Sequence, residues 1–284
     1  MNADLDELKQ WIGRAETLED VATTTPLQAL SATPDRDGQA PRPGEEIPPC
    51  WYWLYFLPLH RQSEIERDGH SKLEGFPPPV RRRQRMWTGS RLEFLRALRV
   101  AQAITRTGRI VEINSKVGRS GPLAFLRERH ELNDASGVAP IDEHDIVFRR
   151  ESALNAVAAP TRLAPSEQDW IREIHPDDVL FFRYSVLTFN CHRIHYDRRY
   201  ATDVASYPGL IVHGPPIATL LLDLLRSHLP DATVSRFAPR AVRPTFDVAP
   251  FYICGRPLDE GKSIRLWARH IEGALAVEAT AILA

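Results

Sequence analysis

The residues from Asn190 to Asp197, NCHRIHYD, gather an amide, two imidazoles and a carboxylate into eight positions. His195 is the group in this stretch best suited to moving protons at neutral pH, because imidazole titrates near 6.5. Asn190 takes no proton, so its chemistry is limited to holding a water by its amide oxygen or nitrogen. Further along, YPGLIVHGPP leads into an apolar run and sets Gly214 at a helix N-terminus. Backbone N–H groups there can bind an anion or a developing oxyanion. Pro215 and Pro216 donate nothing, which leaves the Gly214 N–H as the sharpest donor, with no side chain to block approach. One imidazole and one amide donor suit a thioester: the amide holds its oxygen while the imidazole serves a water and the adjacent carbon.

The elements that must position these groups can be read from spacing. Ile217, Leu220, Leu221, Leu224 and Leu225 fall at i, i+3, i+4, i+7 and i+8, a single apolar stripe, and the two prolines sit in the first turn, where a missing N–H is harmless. This predicts a strong central helix, followed by strands near 237–246, 251–255, 263–272 and 274–283. Residues 91–133 read as an antiparallel meander broken at Gly108, Gly118 and Gly121–Pro122. Residues 1–20 have a helical pattern, and TPLQALSAT predicts a second, short helix. CWYWLYFLPLH reads as a buried strand or packed wall. Segment 60–90, with its run Arg81 to Arg85, reads as a long loop, and Tyr184 and Ser185 as the end of a strand. The Ala/Ser/Pro-rich stretch around 152–168 reads as a linker, which divides the chain into units 1–155 and 156–284.

Composition excludes several classes. At 43% hydrophobic and 26% charged residues the chain can build a core and is neither disordered nor collagenous. Lys plus Arg number 36 against 37 Asp plus Glu, so no overall field exists to hold nucleic acid. The three cysteines lack the spacing of a zinc site or disulfide framework, and no metal is expected. The most apolar window, 210–225, is too interrupted to cross a bilayer. The acidic N-terminus lacks the basic head and apolar stretch of a secretory signal, and a cytoplasmic protein is expected.

The segment Tyr184, Ser185, Leu187, Thr188, Phe189, Asn190, Cys191, His192, Arg193, Ile194, His195 and Asp197, followed by Pro208, Val212, His213 and Gly214, resembles the signature of the MaoC-like hydratases and dehydratases. In that family the segment carries an Asp/His pair and precedes the central helix of a hot-dog fold. Here Asn190 stands at the position of the family's catalytic Asp, while His192 and Arg193 replace its Asn-Pro. The form FNCHRIHYD, together with WYWLYFLPLHRQ, MWTGSRLEF and RAVRPTFDVAPF, is similar to the branch of hydroxyacyl-thioester dehydratase type 2 and the mesaconyl-CoA and itaconyl-CoA hydratases. The resemblance spans nearly the whole chain.

It implies an α+β double hot-dog: two antiparallel sheets, each wrapped around a central helix, the N-terminal one short and degenerate, with the signature only in the second unit. It also implies reversible hydration of an α,β-unsaturated acyl-CoA, with coenzyme A as part of the substrate and no separate cofactor. His195 is then the catalytic base and proton donor, Asn190 the water holder and Gly214 the donor to the thioester oxygen. His213 and Tyr184 are expected to line the substrate site. A branched C5-dicarboxyl acyl group would need an arginine, for which Arg193, Arg243 and Arg91 are candidates. Arg81 to Arg85 could meet the phosphates of coenzyme A. Two competing readings stand beside this one: dehydration of 3-hydroxyacyl thioesters on a carrier protein or coenzyme A, and a thioester-binding subunit without catalysis. A homodimer is the expected assembly.

Overall fold

The stripe at 217–225 forms the centre of the structure, a computed structural model that describes residues 7–36, 39–72, 76–80, 84–118, 121–149 and 161–284. Helix α3 (Gly214–His228) buries every residue from Ile217 to Leu225. Each of its large aliphatic side chains contributes ~1.5–3 kcal/mol on leaving water. Strands β6 (Trp170–Ile174), β7 (Val234–Ala241), β8 (Phe251–Leu258), β9 (Ser263–His270) and β10 (Leu275–Leu283) wrap it. Phe237, Phe251, Ile253, Ile264, Leu266, Ala268 and Ala281 share one core with its stripe.

The N-terminal half repeats this plan with β1 (Ala15–Val21), β2 (Gln84–Phe94), β3 (Ala103–Gly118), β4 (Gly121–Asp134) and β5 (Gly137–Arg149). Its helix, α1 (Thr24–Ala32), has only nine residues, of which Leu27 and Leu30 pack with Trp51, Tyr52, Leu54 and Tyr55. All ten strands join in one antiparallel sheet of order β1-β3-β4-β5-β2-β7-β10-β9-β8-β6. The halves meet through Gly89, Leu92 and Glu93 of β2 against Arg240, Phe237 and Arg236 of β7. A Cβ at Gly89 would lie 2.7 Å from the Pro239 carbonyl oxygen, so this close crossing requires glycine. The protein is an α+β double hot-dog with a short N-terminal helix.

Several expectations are corrected. In place of a helix over 1–20, the described residues show one helical turn at 7–9 and then strand β1, whose alternating burial is the pattern of a strand with one face covered. CWYWLYFLPLH is not a strand: Trp51–Leu54 is a 3-10 turn entered through Cys50 at φ 68°, so it serves as the packed wall. Segment 60–90 is not loop throughout, because β2 begins at Gln84. Its outer face carries Arg91, which meets Glu143 and Asp145 of β5. Tyr184 and Ser185 lie in helix α2 (Asp178–Leu187) and do not end a strand. Asp177 caps that helix by accepting from Leu180 N at 2.7 Å. Its apolar residues occupy both sides, Phe181 and Tyr184 inward and Val179, Phe182 and Val186 outward, which erased the helical period. The unit boundary at 155/156 and residues 81–83 of the arginine run lie outside the described residues.

Candidate active site

His195 ends a 3-10 turn, Arg193–His195, that follows α2 and faces the start of α3. Its Nδ1 lies 2.8 Å from the Ile211 carbonyl oxygen. A carbonyl only accepts, so Nδ1 carries the proton and Nε2 keeps its lone pair. Burial lowers the His195 pKa to about 4, partly opposed by the bond to Ile211 and reinforced by His70. At neutral pH the ring is therefore an uncharged base with one fixed tautomer.

His213, the residue that precedes α3, lies under this ring: the two imidazoles stack with centroids 3.7 Å apart and planes 16° apart. Its Nε2 sits 3.0 Å from Ser185 Oγ, and its Nδ1 is buried without a protein partner. A buried polar atom left open beside a helix N-terminus is a place for a water or a ligand atom. Burial, then His195 and His192, hold His213 far below the ordinary imidazole range. Tyr184 is buried, with its ring 5.1 Å from that of His213. Gly214 begins α3, where its N–H has no intrahelical partner. The indole of Trp87 covers it so closely that a Cβ would come within 2.3 Å.

Asn190 is held by its own turn. Its Oδ1 accepts from His192 N at 3.0 Å, and its backbone N–H donates to Ser185 O at 2.8 Å. The amide oxygen is thus engaged, which leaves the Nδ2 hydrogens for a water. Asp197 accepts from Tyr200 N at 3.0 Å, the cap expected of a residue before a helical turn.

The three arginines expected to meet a substrate carboxylate are each engaged elsewhere. Arg193 gives its guanidinium to Asp197 at 2.7 Å and to the Arg67 carbonyl at 3.1 Å, and lies over the Tyr200 ring. Arg243 is exposed and donates to Thr161 Oγ1 at 2.9 Å. Arg91 is bound to Asp145 and Glu143 on the opposite face of the sheet. In each case a nearby acceptor on the protein takes the guanidinium.

The N-terminal half contributes groups that the loop reading of 60–90 passed over. Asp68, Gly69 and His70 form a turn docked on the His195 segment. Gly69 has φ +93°, and a Cβ on it would lie 1.7 Å from the Cys191 carbonyl oxygen. Arg193 N donates to Asp68 O at 2.8 Å. His70 Nδ1 is 3.0 Å from Asp68 Oδ2, and its ring lies 3.8 Å from that of His192, which meets His195 edge-on at 5.4 Å. An Asp-Gly turn followed by His was the available signal. Asp68, His70 and His192 offer donor atoms within 4.8 Å of one another. Asp68 and His70 already engage each other, at 3.0 Å.

Trp87 is fixed by a chain of contacts across the inner face of the N-terminal half-sheet. Its Nε1 donates to Ser90 Oγ at 3.0 Å, Ser90 lies 3.3 Å from His144 Nδ1, and His144 Nε2 lies 2.8 Å from Asp142 Oδ2. Trp53 Nε1 and Tyr52 OH also donate to Asp142, at 2.6 and 3.3 Å. Burial opposes charge on both partners, yet the Asp142 carboxylate raises the His144 pKa and His144 lowers that of Asp142.

Residues 50–247 match the family model of hydroxyacyl-thioester dehydratase type 2. The mesaconyl-C4-CoA hydratase of Chloroflexus aurantiacus is 42% identical over 95% of both chains. The mitochondrial hydroxyacyl-thioester dehydratase type 2 of Schizosaccharomyces pombe is 26% identical over 73% of this chain and 77% of its own. Among solved structures, a MaoC-like dehydratase superposes with a TM-score of 0.70 at 12% identity, covering 97% of this chain and 99% of that one, a likeness of fold. The chain belongs to the hydroxyacyl-thioester dehydratase type 2 family of MaoC-like enzymes, the hydratases and dehydratases of acyl thioesters.

Proposed function

We propose that the protein reversibly adds water to the double bond of a short, branched α,β-unsaturated acyl-CoA that carries a free carboxylate, of the mesaconyl or itaconyl type. The observation that carries the reading is His195, uncharged, with Nδ1 tied to Ile211 O, Nε2 keeping its lone pair and the ring stacked on His213, the residue before Gly214. In this reading His195 Nε2 takes a proton from water as its oxygen bonds to the β-carbon. The displaced electron pair moves onto the thioester oxygen, held by the Gly214 N–H, and Cα is then protonated. Asn190 Nδ2 donates to the attacking water. Coenzyme A enters as part of the substrate, and no further cofactor is needed.

The carboxylate preference draws support from the 42% identical mesaconyl-C4-CoA hydratase and from Arg85. Arg85 lies two residues from Trp87 on β2, hence on the same inner face and about 7 Å along the strand. It forms no hydrogen bond or ion pair among the described residues. Its charge reaches Glu128 and His192. In a trans C4 backbone the free carboxyl carbon lies roughly 4 Å from the thioester carbon, as across any three bonds held trans. An extended arginine can cover the remainder. Dehydration of 3-hydroxyacyl thioesters is the second reading, favoured by the dehydratase named among the relatives; it uses the same groups in reverse. A binding subunit without catalysis would have no need of a tautomer-locked base. The division into units 1–155 and 156–284, a homodimer and a cytoplasmic location belong to the same proposal.

A panel of mesaconyl, itaconyl and crotonyl thioesters, on coenzyme A and on carrier protein, followed at the absorbance of the conjugated double bond, tests the reading. Turnover of the dicarboxyl CoA thioesters is expected to exceed that of crotonyl-CoA. Arg85→Gln is expected to narrow that ratio about 10- to 100-fold, the worth of a charged hydrogen-bonded pair. Absence of turnover on every thioester would remove the reading.

A further inference from the structure

Hydration of a thioester needs a base for water and an acid for Cα, yet Asn190, where the related signature has a carboxylate, exchanges no proton. The N-terminal half brings a titratable pair to the same place. Gly69 packs its turn against Cys191, Asp68 accepts from Arg193 N, and the His70 ring lies on His192, whose edge meets His195. Asp68 accepts at both oxygens, from the His70 backbone N–H at 2.9 Å and from its Nδ1 at 3.0 Å. This fixes the ring and leaves Nε2 as its reacting nitrogen. The charged and titratable groups around it are Asp68 on its own turn, His192 and Arg193 on the facing segment, His195 beyond them, and Arg85 of β2, whose charge reaches His192. Burial opposes charge on Asp68, but the His70 contacts prevail and lower its pKa, so it is a carboxylate able to balance an imidazolium.

We propose that His70, held by Asp68, is a second acid–base catalytic residue, which supplies from the N-terminal half the proton transfer that Asn190 cannot perform. The inference rests on the hydratase reading above. His195 Nε2 takes a proton from water as the C–O bond forms at the β-carbon, and the alkene electron pair shifts onto the thioester oxygen. The carbonyl reforms as Cα takes a proton from His70 Nε2. The proton gained by His195 returns to His70 through solvent, so the net change is one water across one double bond. The site is then complete only when both halves of the chain contribute.

The test uses the full chain and whichever panel thioester the wild type hydrates best, with kcat/KM measured against pH. His70→Gln is expected to lower turnover about 10²- to 10⁴-fold, the usual worth of a general acid. It should also abolish the alkaline limb of the profile while keeping the acid limb set by His195. Asp68→Asn keeps the imidazole but removes its counter-charge; it should lower turnover about tenfold and move the alkaline limb to lower pH, and it provides the answer if His70→Gln does not fold. Loss of rate with both limbs intact, or turnover within threefold of wild type, overturns the proposal. A wild type inactive on the whole panel overturns the hydratase reading and this proposal with it, whereas an active wild type with an indifferent His70→Gln overturns this one alone.

Discussion

The inner faces of the two half-sheets share one plan and carry opposite chemistry. In the C-terminal half, Phe237, Ile253, Ile264, Leu266 and Ala281 close on α3, with every residue from 217 to 225 buried. In the N-terminal half, the strand register turns Ser90, His144 and Glu128 into one inward row and Asp142 and His130 into the next. Where a long helix must be covered, the sheet is apolar; where the helix has shrunk to α1, the same face is free to hold polar groups. Burial raises the Glu128 pKa and lowers that of His130 to about 3, so this face is costly to maintain. One half supplies stability, and the other roofs the Gly214 amide with Trp87 and lends His70.

Mutations can break this division. The largest effect is expected at the catalytic imidazole: His195→Gln should lower kcat about 10³-fold or more while the urea midpoint stays near that of wild type. Retained turnover would remove the assigned base. Next, Leu221→Ala, at a fully buried position of α3, should cost about 2–5 kcal/mol in urea unfolding. By contrast, Glu128→Gln in the N-terminal half should change stability by less than ~1 kcal/mol, because the buried charge it removes was already disfavoured. Equal losses at the two sites would contradict the comparison. The smallest effect is expected from Ser90→Ala, which frees the Trp87 indole: roughly 1 kcal/mol, seen as about a fivefold fall in kcat/KM.

Acid and base should also separate His195 from His144. His195 titrates near 4 when folded against 6.5 unfolded, and His192 and His213 are displaced in the same direction. The unfolded chain therefore binds more protons between those values, so stability contributed by these rings is complete above pH 6.5 and lost as pH falls toward 4. His144 is displaced upward, so its contribution is present below 6.5 and lost as pH rises through its folded value. Unfolding free energies at pH 5, 7 and 9, for the wild type and for His144→Gln, should show the variant losing least at pH 9. Parallel pH curves for the two proteins would refute the assignment.

Much of the C-terminal half was legible in the sequence, because one helix with one apolar stripe and Pro215–Pro216 in its first turn has few alternative readings. The N-terminal half was less so. β2 carries Arg91 and Glu93 on its outer face and Arg85, Trp87 and Ser90 on its inner face, so no simple alternation marks it as a strand. Helix α2 is apolar on both sides and hides its period. At the site, His195 and Gly214 stood out by type and spacing, whereas Asp68 and His70 reach it only through tertiary docking more than 120 positions from His195 in sequence. The arginines are not separable in the sequence for a related reason: whether a guanidinium is free depends on its folded neighbours, and Arg193 and Arg91 already have carboxylates.

A crystal structure of the protein with a saturated acyl-CoA reports most directly on where the thioester lies. The account places its carbonyl oxygen ~3 Å from Gly214 N, with His195 Nε2 turned toward the β-carbon at hydrogen-bond reach of a bridging water. A thioester carbonyl bound away from that amide, or an imidazole at 195 with Nε2 turned from the acyl chain, would contradict it.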